Sequence, residues 1–368
     1  MKLIFLFICT LFSTILLSQE IEKEKKYSFI DFQYFYGSII EHNPDIAHLI
    51  TGHPEGFIVS YNNKTYGFNE WERYYNYPDW GFSLIYQNMK NEALGENVSI
   101  YGHYSFYFLK RRLQFRIGQG IAFTSNPFDI ETNFKNNAYG TTLLSTTYVM
   151  FNYSQQNIFK RFGLQAGISL IHYSNANIKA PNTSTNTFAF NVGFSYDMYS
   201  EDFPEYIVKE EGKKFGEPIA FNAVIRSGFN ESDVVGIGQF PFVVVSGYAD
   251  KRVSRISSFQ VGFDVFFSRF LKQEIEYQFI SFPNSGLSGD EDWKRAGLFI
   301  GHELHFGRIS AVTQLGYYVY YPYDFEGRTY FRAGLKRYFG KKYFGSITLK
   351  SHAAKAEAIE FGIGIRFR

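Results

Sequence analysis

The chain is built from short stretches in which apolar and polar residues take turns. In Ile359–Phe367, I-E-F-G-I-G-I-R-F, the apolar positions are Ile359, Phe361, Ile363, Ile365 and Phe367, with Glu, Gly, Gly and Arg between them. Leu113–Phe123 repeats the arrangement: Leu113, Phe115, Ile117, Ile121 and Phe123 oppose Gln114, Arg116, Gly118 and Gly120. A period of two sends alternate side chains to opposite faces of a strand. Candidate strands fall near 27–37, 56–63, 81–88, 98–109, 113–124, 141–153, 161–174 and 186–198. Others fall near 218–229, 239–249, 256–267, 273–281, 293–305, 309–321, 328–338, 343–351 and 357–367.

In a soluble sandwich the apolar face of each strand would be core. Composition argues otherwise. Aromatic residues make up 20% of the 368 residues, with 42 Phe and 29 Tyr, and they crowd the strand ends, while charged residues reach only 20%. Strands with one apolar face and a Gly-rich or polar opposite face are what a transmembrane barrel needs, because lipid meets one side and a polar lumen the other. Closure also pairs every strand edge, which the membrane interior demands. The expectation is therefore all-β: one transmembrane antiparallel β-barrel of about 14–16 strands. Single-chain bacterial barrels usually have an even strand number, so one of the seventeen candidates is surplus. The weakest pair is 256–267 and 273–281, read as one long, bent strand.

The first eighteen residues, MKLIFLFICTLFSTILLS, place Lys2 before an unbroken apolar run, and QEIEKEKK follows directly. This reads as a secretory signal peptide, residues 1–18, leaving 19–368 as a single barrel domain. Cys9 is the chain's one cysteine and lies inside the leader, so the exported part has no thiol for a disulfide or thiolate metal site. A formal net charge of +2 creates no field favouring nucleic acid. Turn lengths suggest an orientation: Lys110–Arg112 is a tight turn, 125–140 a long outer loop and 175–185 another. The charged stretch 200–217 then lands on the inner side and reads as a solvated turn.

Candidate chemistry lies in Ile171–Asn186, I-H-Y-S-N-A-N-I-K-A-P-N-T-S-T-N. His172 and Ser174 share the parity of Leu164, Ala166, Ile168 and Leu170, so they continue the lipid-facing row at the outer end of their strand. On the returning strand Asn186 begins the row Phe188, Phe190, Val192, Phe194. Polar groups facing lipid are costly and point to function. A serine, an imidazole to take its proton and a third group to orient the imidazole are the parts of acyl-transfer chemistry. The plainer reading is interfacial residues bonding headgroups or backbone. The histidines His42, His48 and His53, with Asp45 nearby, and the pair His302 and His305 are candidate metal ligands by residue type alone. The pair has opposite strand parity, and convergence rather than number makes a metal site. No metal or other cofactor is expected.

H-Y-S-N-A followed by P-N resembles the signature H-x-S-N-[AG]-G-x(3)-P-N-x-G-x-E of the outer-membrane lipid A 3-O-deacylase (PagL-type) family. L-G-E-N at Leu94–Asn97 and the Tyr77–Gly81 run resemble its longer acyloxyacyl hydrolase branch. The resemblance spans roughly residues 27–200. It implies a bacterial outer-membrane esterase that removes an ester-linked acyl chain from lipid A or a related outer-leaflet lipid, with a homodimer left open. It also implies Ser174 as nucleophile, His172 as general base, and Asn175, Asn177 and Asn182 around an oxyanion hole. Asn177 and Ser184 stand where the signature has glycine, and Asn186 where it has glutamate; an amide brings no full charge to the imidazolium, so slower turnover, or none, is expected. The alternative is an inactive barrel serving as pore, transporter or scaffold.

Overall fold

The computed structural model describes residues 27–199, 204–209, 215–353 and 355–368. The leader and parts of 200–217 lie outside these. The described residues form sixteen strands: β1 (Ser28–Ile39), β2 (Glu55–Asn63), β3 (Asp79–Asn88), β4 (Glu96–Phe108), β5 (Leu113–Thr124), β6 (Leu143–Phe159), β7 (Phe162–Ser174) and β8 (Thr185–Asp197), then β9 (Ala220–Asn230), β10 (Phe240–Ser254), β11 (Ser257–Ser268), β12 (Lys294–Phe306), β13 (Ile309–Tyr320), β14 (Thr329–Phe339), β15 (Tyr343–His352) and β16 (Lys355–Phe367). Within β1–β8 and within β9–β16, consecutive strands pair antiparallel.

The strands close twice. β1 pairs with β8 from Phe29↔Asp197 to Ile39↔Thr187, and β16 pairs with β9 from Phe361↔Ser227 to Phe367↔Phe221. The single barrel expected for 19–368 is thus corrected to two eight-stranded barrels. An eight-stranded ring is complete once its first and last strands exchange hydrogen bonds, so no further strand can join it. The segment 200–217, read as a turn, is the connection between the rings. Its described part packs on the loop after β2: Tyr206 lies against Tyr66 and Tyr77, at centroid distances of 5.3 and 4.4 Å.

Residues 273–281 form no strand. They belong to a helix, Arg269–Ser281, with Phe270, Leu271, Glu274 and Ile275 buried. Burial at i, i+1, i+4 and i+5 marks one helical face, although Ile275, Tyr277 and Phe279 also alternate with polar residues.

Eight strands enclose only enough space for side chains, and both lumens are filled. In the first barrel, Arg116 is fully buried and donates to Asp31 at 2.7 Å, Ser60 at 2.7 Å, Asn62 at 2.9 Å and Ser105 at 2.9 Å. Toward the other end Phe35, Ile58, Ile85 and Tyr101 pack with loop residues Ile46, Leu49, Leu94 and Tyr139. The second barrel holds charges: Arg332 pairs with Glu360 at 2.6 Å and Asp264 at 2.9 Å, and Glu357 with Arg295 and Lys350 at 2.6 Å each. The outward rows are apolar, as alternation requires.

The barrels touch at both ends. At the end nearer the connecting segment, Phe306 of β12 stacks on Tyr75 and Tyr104, with centroids 4.6 and 5.3 Å apart, and Arg255 pairs with Glu70. The contact at the opposite end involves the loop after β7.

Candidate active site

β7 and β8 form a hairpin whose strands place His172 directly opposite Asn186. Both side chains lie on the outward face, continuing the exposed rows of Leu164, Ile168 and Leu170 and of Phe188, Phe190 and Val192. His172 Nδ1 and Asn186 Oδ1 are 2.8 Å apart. With the amide oxygen as acceptor, Nδ1 carries the proton and Nε2 keeps a lone pair. Parity alone predicted this shared face.

Ser174 closes β7, buried beneath the loop 175–184. Its hydroxyl donates to Asn182 Oδ1 at 3.0 Å and accepts from the Ala176 N–H at 2.9 Å. Among the described residues no hydrogen bond joins Ser174 to His172. Ser174 and His172 share a face; in this resting arrangement the hydroxyl proton belongs to the loop.

The loop is a tight hydrogen-bonded knot. Asn182 Oδ1 also accepts from Asn175 N–H at 2.9 Å. Asn175 is 1% exposed; its amide donates to Lys179 O at 2.6 Å, and its Oδ1 accepts Asn177 N–H at 3.0 Å. Asn177 Nδ2 donates to the carbonyl of Glu231 at 2.9 Å. The side-chain donors of Asn175 and Asn177 are therefore engaged in holding the loop, whereas Asn182 has its oxygen turned inward. Asn177 and Ser184 both have φ +60°. These are the two positions where the resembling signature has glycine, and the left-handed backbone is kept here by residues that carry a side chain. Asn tolerates that region better than most residues because its short polar side chain bonds locally.

Other loops brace the knot. Thr183 N–H donates to Asn137 O at 3.1 Å, and His42 Nε2 lies 3.0 Å from Thr183 O. His48 instead meets Lys135 O, and His53 meets Ser38, so the three early histidines disperse. His302 bonds Ser257 and lies tilted against Phe259 on the outside, while His305 is buried beside Ser258 and Ser310. The described residues contain no group of three or more His, Cys, Asp or Glu arranged to hold a metal ion. Leu94, from the L-G-E-N run, fills the lumen rather than the site.

Sequence reasoning missed Glu231 and Gln239, both from the β9–β10 loop of the second barrel. Glu231 is 3% exposed, and its Oε2 accepts the Ala180 N–H at 3.1 Å. Gln239 Nε2 donates to Ile178 O at 2.7 Å. The one signal in the sequence is an acidic residue directly after the β9 strand.

A hairpin that presents histidine, asparagine and serine at one end of the outward face of a closed barrel has the parts of a serine hydrolase. Residues 55–195 match the family model described as lipid A 3-O-deacylase (PagL), and residues 219–368 match that described as acyloxyacyl hydrolase, C-terminal domain. The chain belongs to this lipid A deacylase and acyloxyacyl hydrolase family, the first model running from β2 into β8 and the second over β9–β16. The second match extends the relationship past the roughly 27–200 legible in the motif. No curated protein matches the chain. Among solved structures, two engineered variants of the porin of Rh. blastica are each 10% identical, covering 93% of this chain and 99% of theirs at TM-score 0.19. A triple mutant of the Rhodopseudomonas blastica porin is 9% identical with the same coverage and TM-score. A TM-score that low carries no weight for this chain's architecture, which rests on its own strand pairing.

Proposed function

We propose that the protein is an outer-membrane serine esterase that removes an ester-linked acyl chain from lipid A or a related outer-leaflet lipid. The observation that carries this reading is the 2.8 Å His172–Asn186 bond, set on the outward face one strand position pair from Ser174. Lipid embedding is supported by the exposed apolar rows on both barrels, among them Phe190 at 67% and Ile363 at 75% exposure. The leader-like first eighteen residues fit export to that membrane.

In the proposed reaction the Ser174 hydroxyl turns from Asn182 toward His172 Nε2, which takes its proton as Oγ attacks the ester carbonyl. Catalytic hydrogen bonds are often unformed until substrate is bound. The carbonyl oxygen becomes an oxyanion, for which Asn182 Nδ2 is the candidate side-chain donor, since those of Asn175 and Asn177 are engaged in the loop. His172 then protonates the departing alkoxide, leaving the acyl group on Ser174. Water, deprotonated by His172, releases the fatty acid and restores the serine. Asn186 keeps the imidazole in its Nδ1–H tautomer but brings no charge to balance the imidazolium.

Mass spectrometry of lipid A from cells with the gene, without it, and with Ser174→Ala tests the reading. Loss of one acyl chain only in cells carrying the intact gene is expected. The same acyl composition in all three would overturn the esterase reading.

A further inference from the structure

The second barrel is placed against the loop that carries Ser174, and the contact is polar, buried and concentrated on one residue. Glu231 meets the loop three times. Its N–H donates to Asn177 O at 3.1 Å, its carbonyl accepts Asn177 Nδ2 at 2.9 Å, and its carboxylate accepts Ala180 N–H at 3.1 Å. The other carboxylate oxygen accepts Gly238 N–H at 3.0 Å, which ties the two ends of the β9–β10 loop together. Gln239 adds the bond to Ile178 O. Residues 177, 178 and 180 are thus each gripped from the second barrel.

The grip reaches the nucleophile through three hydrogen bonds. Asn177 N–H is bound by Asn175 Oδ1, and Asn175 N–H holds the Asn182 oxygen that receives the Ser174 hydroxyl. A carboxylate accepting backbone N–H groups makes a charge-assisted bond, roughly twice as strong as a neutral one. Backbone atoms at 177 are also held left-handed, a conformation that persists only where its surroundings impose it.

We infer that Glu231 is a positioning residue for the reaction, and that the second barrel completes the active site of the first by holding the 175–182 loop in register with Ser174. The inference rests on the esterase reading. It gives the two-barrel architecture a catalytic reason: a site at the rim of one barrel is fixed from outside by its neighbour.

The test uses the full-length protein refolded in detergent micelles or lipid vesicles, with a lipid A preparation as substrate and fatty-acid release as readout. Misplacing reacting groups by about 1 Å costs on the order of 100-fold in rate, so Glu231→Ala is expected to lower kcat about that much. KM should change little, because Glu231 lies outside the outward apolar rows of β7 and β8. Glu231→Gln keeps one oxygen acceptor and is expected to recover part of the loss. Gln239→Ala, at an exposed position, should lower kcat by a few-fold, and it carries the test together with Glu231→Gln should Glu231→Ala fail to fold. Folding is checked by the shift in gel mobility between heated and unheated samples. Folded Glu231 variants with unchanged kcat, or with a rise in KM alone, overturn the inference. Inactive wild-type protein would instead overturn the esterase reading on which it stands.

Discussion

Asn186 sits where the imidazole needs a partner, and its amide oxygen performs half of a carboxylate's task. It selects the tautomer that leaves Nε2 free, but a neutral acceptor gains little when His172 becomes charged. A charge-assisted bond is worth about 1–2 kcal/mol more than a neutral one. Each 1.36 kcal/mol taken from a barrier is tenfold in rate. Asn186→Glu is accordingly expected to raise kcat about tenfold with KM nearly constant, measured on the same lipid substrate. A fall in kcat would place Asn186 outside the acid position. His172, Ser174 and Asn186 were legible because strand parity is a local property: counting by twos from Leu164 and Phe188 suffices to place all three on one face. Glu231 was not, because its relation to Ala180 arises from the packing of two rings, and residue spacing carries no record of that.

At the level of elements, alternation located all sixteen strands and misassigned one segment. Ile275, Tyr277 and Phe279 satisfy a period of two, and only the burial of Phe270, Leu271, Glu274 and Ile275 shows that the buried face follows a helix. The lumen side of the strands was legible as polar but not as paired. In the second barrel Arg332, on β14, spans Asp264 of β11 and Glu360 of β16, while Arg226 stands 3.7 and 3.8 Å from the same carboxylates. Removing one partner from a buried ionic network leaves charge uncompensated, an effect of about 3–5 kcal/mol. Because Arg226 remains, Arg332→Leu is expected to destabilise by the lower part of that range, about 3 kcal/mol. The urea midpoint of the refolded protein reads this directly. A change below about 1 kcal/mol would mean that water reaches these carboxylates and screens them.

For the whole molecule, the decisive property is where the rings close, and alternation is silent on it. A period of two says which face a residue occupies but not which strand lies beside it, so sixteen strands fit one wide barrel or two narrow ones equally well. The charged segment 200–217, too long for an inner turn, was the visible sign of a boundary. The difference bears on function. A sixteen-stranded ring would leave an aqueous channel, whereas eight-stranded rings are filled by their own side chains. Here Arg116, with its four partners, blocks the first lumen, and Arg332, Arg295, Lys350 and their carboxylates block the second. The protein inserted in a planar lipid bilayer is therefore expected to show no ohmic conductance in molar salt. Arg332→Leu should stay equally closed, because the surrounding side chains remain. Steady, porin-like current steps from the wild-type protein would mean that the strands do not close as two rings in the membrane, and would return the pore to contention. Silence in the bilayer together with fatty-acid release from lipid A would assign the function to the rim, where the two barrels meet, rather than to either interior.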